Sequence, residues 1–174
     1  MPHTQRLRQI ALTVIRHQLL GLEDKVSTAT NGWIGVINGK PKLRQCANRS
    51  QVTRLEDIYA FTEMTGDRNP VHYDEDLAKK TPFGELIVQG GVTTGILNAC
   101  VAEDLPGPGT VFLNTNLNFK KAVGIGEEIT GHIVVVTVRD DKPICKMNVR
   151  VTDSGGETCV EGTATTYTMP LAGL

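Results

Sequence analysis

Aromatic residues make up only 5% of this 174-residue chain, too few for a platform on which nucleic-acid bases stack. An excess of one charge is missing as well. The 18 Lys and Arg residues face 19 Asp and Glu, for a formal net charge of −1. Nothing here indicates a general binder of nucleic acid or of membrane surfaces. No apolar run approaches the roughly 20 residues needed to span a bilayer. Cysteine is scarce too: Cys46, Cys100, Cys145 and Cys159 are the only four. No two share the short spacing of a zinc knuckle. All four sit in apolar or strand-like runs, where a reduced cysteine acts as a small hydrophobe, and a reducing compartment is the simplest inference. What is present, 40% hydrophobic and 21% charged residues, fits one ordinary globular domain.

The chain reads as two parts: a variable N-terminal region over residues 1–50 and a compact core over 51–170. Neither an internal repeat nor a low-complexity tract is visible. Residues 1–22 hold Arg6, Arg8 and Arg16 and no acid before Glu23. Leu7, Ile10, Ala11, Val14 and Ile15 recur with helical spacing, which predicts a helix over about residues 5–20, ending near Gly21. Such a basic start suits a docking helix of a cytoplasmic protein, the reading preferred here, or a mitochondrial presequence. Asn38-Gly39 between Trp33–Ile37 and Leu43–Cys46 predicts a hairpin, with Pro41 confining the second strand to an edge.

In the core, Thr53 and Glu56 have the spacing of a capping box. The helix that follows is expected to turn Leu55, Ile58, Tyr59 and Met64 inward and to stop at Thr65-Gly66. A short helix is expected over 74–80, broken by Pro82 and Gly84. Gly90 and Gly91 open the most apolar helix, running to Ala102. Few of its residues are charged, so protein should surround it, and its small residues Gly95, Ala99 and Ala102 should admit a close neighbour. After Pro106–Gly109 everything reads as strand: 111–119, 128–138, 145–152 and 157–168, separated by Gly- and Asp-rich turns. In the first of these, Val111, Leu113, Leu117 and Phe119 alternate with Asn114, Asn116 and Asn118. In the third, Cys145, Met147, Val149 and Val151 alternate with Lys146, Asn148, Arg150 and Thr152. A strand meander after one buried helix is an α+β architecture, an antiparallel sheet around that helix.

One short run carries the chemistry. Gly66 to His72 reads Gly-Asp-Arg-Asn-Pro-Val-His. It sets a carboxylate, Asp67, five residues before an imidazole, His72, with Pro70 barring a regular helix between them. Carboxylate and imidazole are the groups best suited to passing protons near neutral pH. Asp-x-Asn-Pro alone is ordinary turn chemistry, so the surroundings must decide.

Those surroundings are specific. Phe61-x-x-Met64-Thr65-Gly66-Asp67-Arg68-Asn69-Pro70-Val71-His72-x5-Ala78 resembles the signature of the (R)-specific enoyl-CoA hydratases, or MaoC-like dehydratases. The resemblance continues through Ile87–Gly90, Leu105–Gly109, Phe119–Gly126 and the final strands, and so covers residues 51–170. It implies a hotdog fold, in which a curved antiparallel sheet wraps a long central helix near residues 90–102, and a homodimer whose sheets join edge to edge. It implies addition of water to a trans-2-enoyl-CoA to give the (R)-3-hydroxyacyl-CoA, or the reverse, with acyl-carrier-protein thioesters as further candidate substrates. Asp67 and His72 would hold and activate the water, their acid and base roles left open. The backbone N–H of Gly90 would stabilise the thioester oxygen, with no metal or organic cofactor beyond the coenzyme A of the substrate. Asn69 would order the turn or orient the pair, and Tyr73 would pack in the core or at the acyl pocket. Gln89 and Gly91 depart from the resemblance, which has His and a larger apolar residue there, and this bears on acyl-chain preference. Two other readings are a hotdog thioesterase, which has no need of the Asp-His run, and a non-catalytic acyl-thioester-binding subunit.

Overall fold

The computed structural model describes residues 31–173. The helix expected over 5–20 lies outside the described residues. Among the described residues, five strands and three helices follow in the order β1 (Cys46–Val52), α1 (Leu55–Thr65), α2 (Glu75–Ala78), α3 (Gly90–Ala99), β2 (Thr110–Phe119), β3 (Glu128–Val138), β4 (Ile144–Asp153) and β5 (Thr158–Thr168). A turn of 3-10 helix at Pro70–His72 follows α1, and a π-helical turn at Cys100–Asp104 prolongs α3. All strand pairs are antiparallel and form one sheet in the order β1-β3-β4-β5-β2. The helix-on-sheet architecture expected from the sequence is the one observed. Residues 31–50 belong to the same compact unit as the rest of the described chain.

The sheet turns one face to α3. Ile129, Ile133 and Val135 of β3, Met147 and Val151 of β4, and Val160 of β5 are fully buried there, with Ile96, Cys100 and Val101 from α3 and its extension. Burying one such aliphatic side chain stabilises by about 1.5–3 kcal/mol. The helix comes close because β3 carries Gly131 at the crossing. A Cβ at that position would lie 3.0 Å from Ile96 Cγ2 and 3.2 Å from Cys100 Sγ. The close approach is therefore supplied from the sheet. Gly95, expected to supply it, has nothing within 4 Å of the place a Cβ would take.

Three local expectations need correction. The hairpin over 33–46 does not form: residues 32–44 are a series of turns, with strand structure from Cys46. The Trp33 ring is buried and its Nε1 donates to the Arg139 carbonyl at 2.7 Å. Asn38 spends its amide on the Pro106 carbonyl at 3.2 Å. These long-range partners outweigh the local Asn-Gly preference. Second, Thr53 is not the cap of α1. Its buried hydroxyl donates to the Gly124 carbonyl at 2.7 Å, and the N–H of Arg54 is capped by Asp57 Oδ2 at 2.7 Å. With the start displaced, Ile58 and Thr62 face inward, one helical turn apart, while Leu55, Tyr59 and Met64 are exposed. Third, β2 does not alternate throughout. A bulge between Phe112 and Asn114 resets its phase, so Phe112 and Leu117 pack against the core while Val111 and Leu113 face out.

Candidate active site

The helix α1 delivers the acid and a rigid turn delivers the imidazole. α1 ends where Gly66 takes a left-handed conformation at φ 78° and its N–H closes on the Thr62 carbonyl at 2.8 Å. The chain leaves as an Asx turn: Asp67 Oδ1 accepts from the Asn69 N–H at 3.1 Å. The Asp67 carbonyl accepts from the Thr62 hydroxyl at 2.7 Å, so the acid is tied at both its backbone and its side chain. Asn69 caps the 3-10 turn that begins at Pro70, where a missing N–H costs nothing.

That turn buries His72 to 6% exposure. Its Nδ1 lies 2.7 Å from the Ile87 carbonyl. A carbonyl can only accept, so Nδ1 carries a proton, which leaves Nε2 as the ring nitrogen free to face the site. Nε2 lies 3.8 Å from Asp67 Oδ2. This exceeds a direct hydrogen bond, and one shared water can bond to both.

His72 opens onto a cleft of about 310 Å³ whose walls include Phe83, Ile87, Gly90, Thr93 and Phe119. Gly90 is the first residue of α3, where backbone N–H groups have no intrahelical acceptor. A Cβ on Gly90 would meet the Phe119 ring at 2.9 Å, so a side chain there would fill the cleft. Lys121 also lines the cleft, but it is already paired with Asp153 at 2.5 Å and Glu157 at 2.9 Å. Those hydrogen bonds, Asp153 first, hold its ammonium above the ordinary lysine range. Among the described residues no cluster of His, Cys, Asp and Glu is placed to hold a metal ion.

The candidate residues thus fall into two groups. His72 and Gly90 share the cleft, and Asp67, which is not among the cleft's lining residues, stands 3.8 Å from His72 Nε2. Asn69 is exposed and serves the turn. Tyr73 packs against the core, tilted on Tyr59, with its hydroxyl bonded to Thr62, and does not line the cleft. Gln89 also faces away from the cleft. It is 1% exposed and its Nε2 bonds to the Ile58 carbonyl at 3.3 Å and Thr62 Oγ1 at 3.1 Å. At Gly91 the space of a larger side chain is taken by Phe61, whose ring would stand 2.2 Å from a Cβ. Sequence reasoning missed Thr62, Phe83, Thr93 and Phe119. Only the i, i+4 spacing of Ile58 and Thr62 offered a signal.

The MaoC-like domain model matches residues 37–156. The chain belongs to this family. It is 34% identical over 123 residues to the (R)-specific enoyl-CoA hydratase of Aeromonas caviae, covering 71% of this chain and 92% of that one. It is 46% identical over 71 residues to the 3-hydroxybutyryl-CoA dehydratase of Methylorubrum extorquens, covering 41% and 45%. Among solved structures, the A. caviae (R)-hydratase superimposes with a TM-score of 0.71 at 31% identity, over 74% of this chain and 98% of that one. The helix-wrapping sheet is the hotdog fold of these MaoC-like relatives.

Proposed function

We propose that this chain adds water to trans-2-enoyl-CoA thioesters to give (R)-3-hydroxyacyl-CoA, and runs the reverse dehydration, with Asp67 and His72 holding the water. The observation that carries the reading is the pair itself. His72 Nδ1 is committed to the Ile87 carbonyl, which aims Nε2 across 3.8 Å at Asp67 Oδ2, beside a cleft that also reaches Gly90. The relatives' hydratase and dehydratase names support the same reaction class, that of a hydro-lyase.

In the hydration direction the water oxygen bonds to C3 and gives one proton to the pair. The π electrons move toward the thioester, and one proton passes from the pair to C2. One O–H bond breaks, C3–O and C2–H form, and the pair ends as it began. Negative charge gathers on the thioester oxygen meanwhile. The Gly90 N–H, at the positive end of the ten-residue α3, can meet it, and the lack of a Cβ lets the carbonyl approach. The substrate thioester itself acidifies C2, so the chemistry asks for no metal or organic cofactor. Acyl-carrier-protein thioesters present the same reacting atoms.

We also read the protein as a homodimer joined along β2. This strand is a sheet edge, and Val111, Leu113 and Phe119 on it are 44%, 57% and 59% exposed. An apolar, unpaired edge of this kind invites a second strand.

The decisive test is hydration of crotonyl-CoA, followed by loss of its conjugated absorbance and by chiral analysis of the product. Asp67→Asn and His72→Ala should each lower kcat by about 10²–10⁴-fold, with thermal midpoints near wild type. Near-wild-type turnover in either variant would remove the assigned roles. Free thiol released without hydration would instead mark a thioesterase.

A further inference from the structure

Among the described residues, Gln89 is the largest buried polar side chain that the chemistry above leaves unused. Its amide is oriented without ambiguity. Nε2 donates to the Ile58 carbonyl and to Thr62 Oγ1, and exchanging the two amide atoms would set oxygen against the Ile58 carbonyl oxygen. Oε1 then has no partner among the described residues. A buried amide oxygen left unpaired is costly, and an apolar side chain of the same size would avoid it. If Gln89 only filled space, methionine would do so better.

The hydroxyl it grips explains the amide. Thr62 Oγ1 has one proton and gives it to the Asp67 carbonyl at 2.7 Å. It can therefore only accept from Gln89 Nε2 and from the Tyr73 hydroxyl. One donor and two acceptor positions are then all used. With its acceptor positions filled, the hydroxyl proton has one direction left, toward Asp67. Gln89 also sits one residue before Gly90, and its own carbonyl accepts from Val92 at 2.9 Å and Thr93 at 3.2 Å at the start of α3. One residue thus joins the helix that offers the oxyanion donor to the loop that carries the acid.

We infer that Gln89 is a positioning residue: through Thr62 it sets Asp67 relative to His72 Nε2 and the Gly90 N–H. The inference rests on the hydratase reading for its kinetic consequence and on geometry alone for its structural one, so the two are tested separately. Gln89→Met keeps the volume and removes both donors. It should lower kcat for crotonyl-CoA by about tenfold or more, since a misplacement near 1 Å can cost a hundredfold, while KM changes less than twofold. Its thermal midpoint should equal or exceed that of wild type, because the orphan oxygen is gone. Activity falling as stability holds or rises is the opposite of what a merely structural residue gives. Gln89→His, which keeps a ring N–H donor, should restore most of the loss. Thr62→Val approaches the same link from the other side, and the double variant with Gln89→Met should be no worse than the poorer single one.

Hydrogen–deuterium exchange over residues 66–72 reads the anchor without any substrate and should quicken in Gln89→Met and in Thr62→Val. Unchanged exchange in both, or a kcat loss that merely follows a falling midpoint and is not restored by His, would overturn the inference. Absence of crotonyl-CoA hydration by the wild-type protein would instead overturn the reaction assigned above, and the exchange result would still decide the anchor.

Discussion

Two strands of the same sheet, β4 and β2, have ten residues each and an apolar–polar alternation in sequence, yet only one keeps it. β4 lies between two neighbours and under α3, so Cys145, Met147, Val149 and Val151 all go inward. Its phase is dictated three times over, by the helix and by hydrogen bonds on both sides. β2 is hydrogen-bonded on one side only. It breaks register between Phe112 and Asn114, and its apolar residues divide between the core and the outside. An edge strand has a free side on which to answer to something else, which in the dimer proposed above is a second copy of the chain. The difference is between a strand that serves the core and one that serves the surface.

The comparison is broken most forcefully at the centre. Met147 is fully buried in β4. Met147→Ala should cost about 2–5 kcal/mol, a large share of the roughly 5–15 kcal/mol that holds a domain folded. A thermal melt should fall by about 4–20 °C, at about 2–4 °C per kcal/mol for a domain of this size. A drop within a degree or two would mean that burial in the middle of the sheet is not what fixes its alternation.

This contrast also explains what was legible in the sequence. β3, β4 and β5, the α1 stop at Gly66 and the Asp67–His72 run could be read because each is set by neighbours in sequence or by uniform burial of one face. The bulge in β2 could not, since no residue type marks it. The failed hairpin had a correct local signal, Asn38-Gly39, overruled by the Trp33 indole reaching a carbonyl 106 residues away. Thr53 has the residue type of a cap, but its hydroxyl is taken by the Gly124 carbonyl. At the site, the candidate pair Asp67 and His72 came from the motif. The tautomer of His72 came only from Ile87, fifteen residues on. The inward turn of Gln89 came only from the packing of α1 on α3. Polar side chains find their partners across the fold, and such pairings leave no periodicity to read.

At the edge, the effect should move from stability to association. Leu113, 57% exposed on β2, makes no core contact whose loss would matter, so Leu113→Lys should cost the isolated protomer about 0.5 kcal/mol or less. If β2 is the joint between copies, sedimentation velocity should show a wild-type dimer become a monomer, since paired edges tolerate charge poorly. A Leu113→Lys protein that stays dimeric would assign the joint elsewhere and leave the exposed β2 residues unexplained.

The smallest effect sharpens the comparison on the outer face of the central strands, where polar residues alternate with the buried ones. His132 on β3 has both ring nitrogens engaged, Nδ1 with Asn48 Oδ1 at 2.8 Å and Nε2 with Thr152 Oγ1 at 3.0 Å. Its cross-strand neighbour on β4 is Arg150. Partial burial first, and the Arg150 charge second, hold its folded-state pKa below the usual histidine value of 6.5. The sign follows from proton counting. Between the lowered folded value and the ordinary unfolded one, the unfolded chain binds more protons, so stability rises with pH through that window. The contribution is complete above about 6.5 and is lost as pH falls through the folded value. Chemical unfolding at a series of pH values from about 7.5 down to 5 should show this slope in wild type and a flatter one in His132→Gln, which cannot titrate. Parallel slopes would mean that His132 contributes no pH sensitivity to the fold.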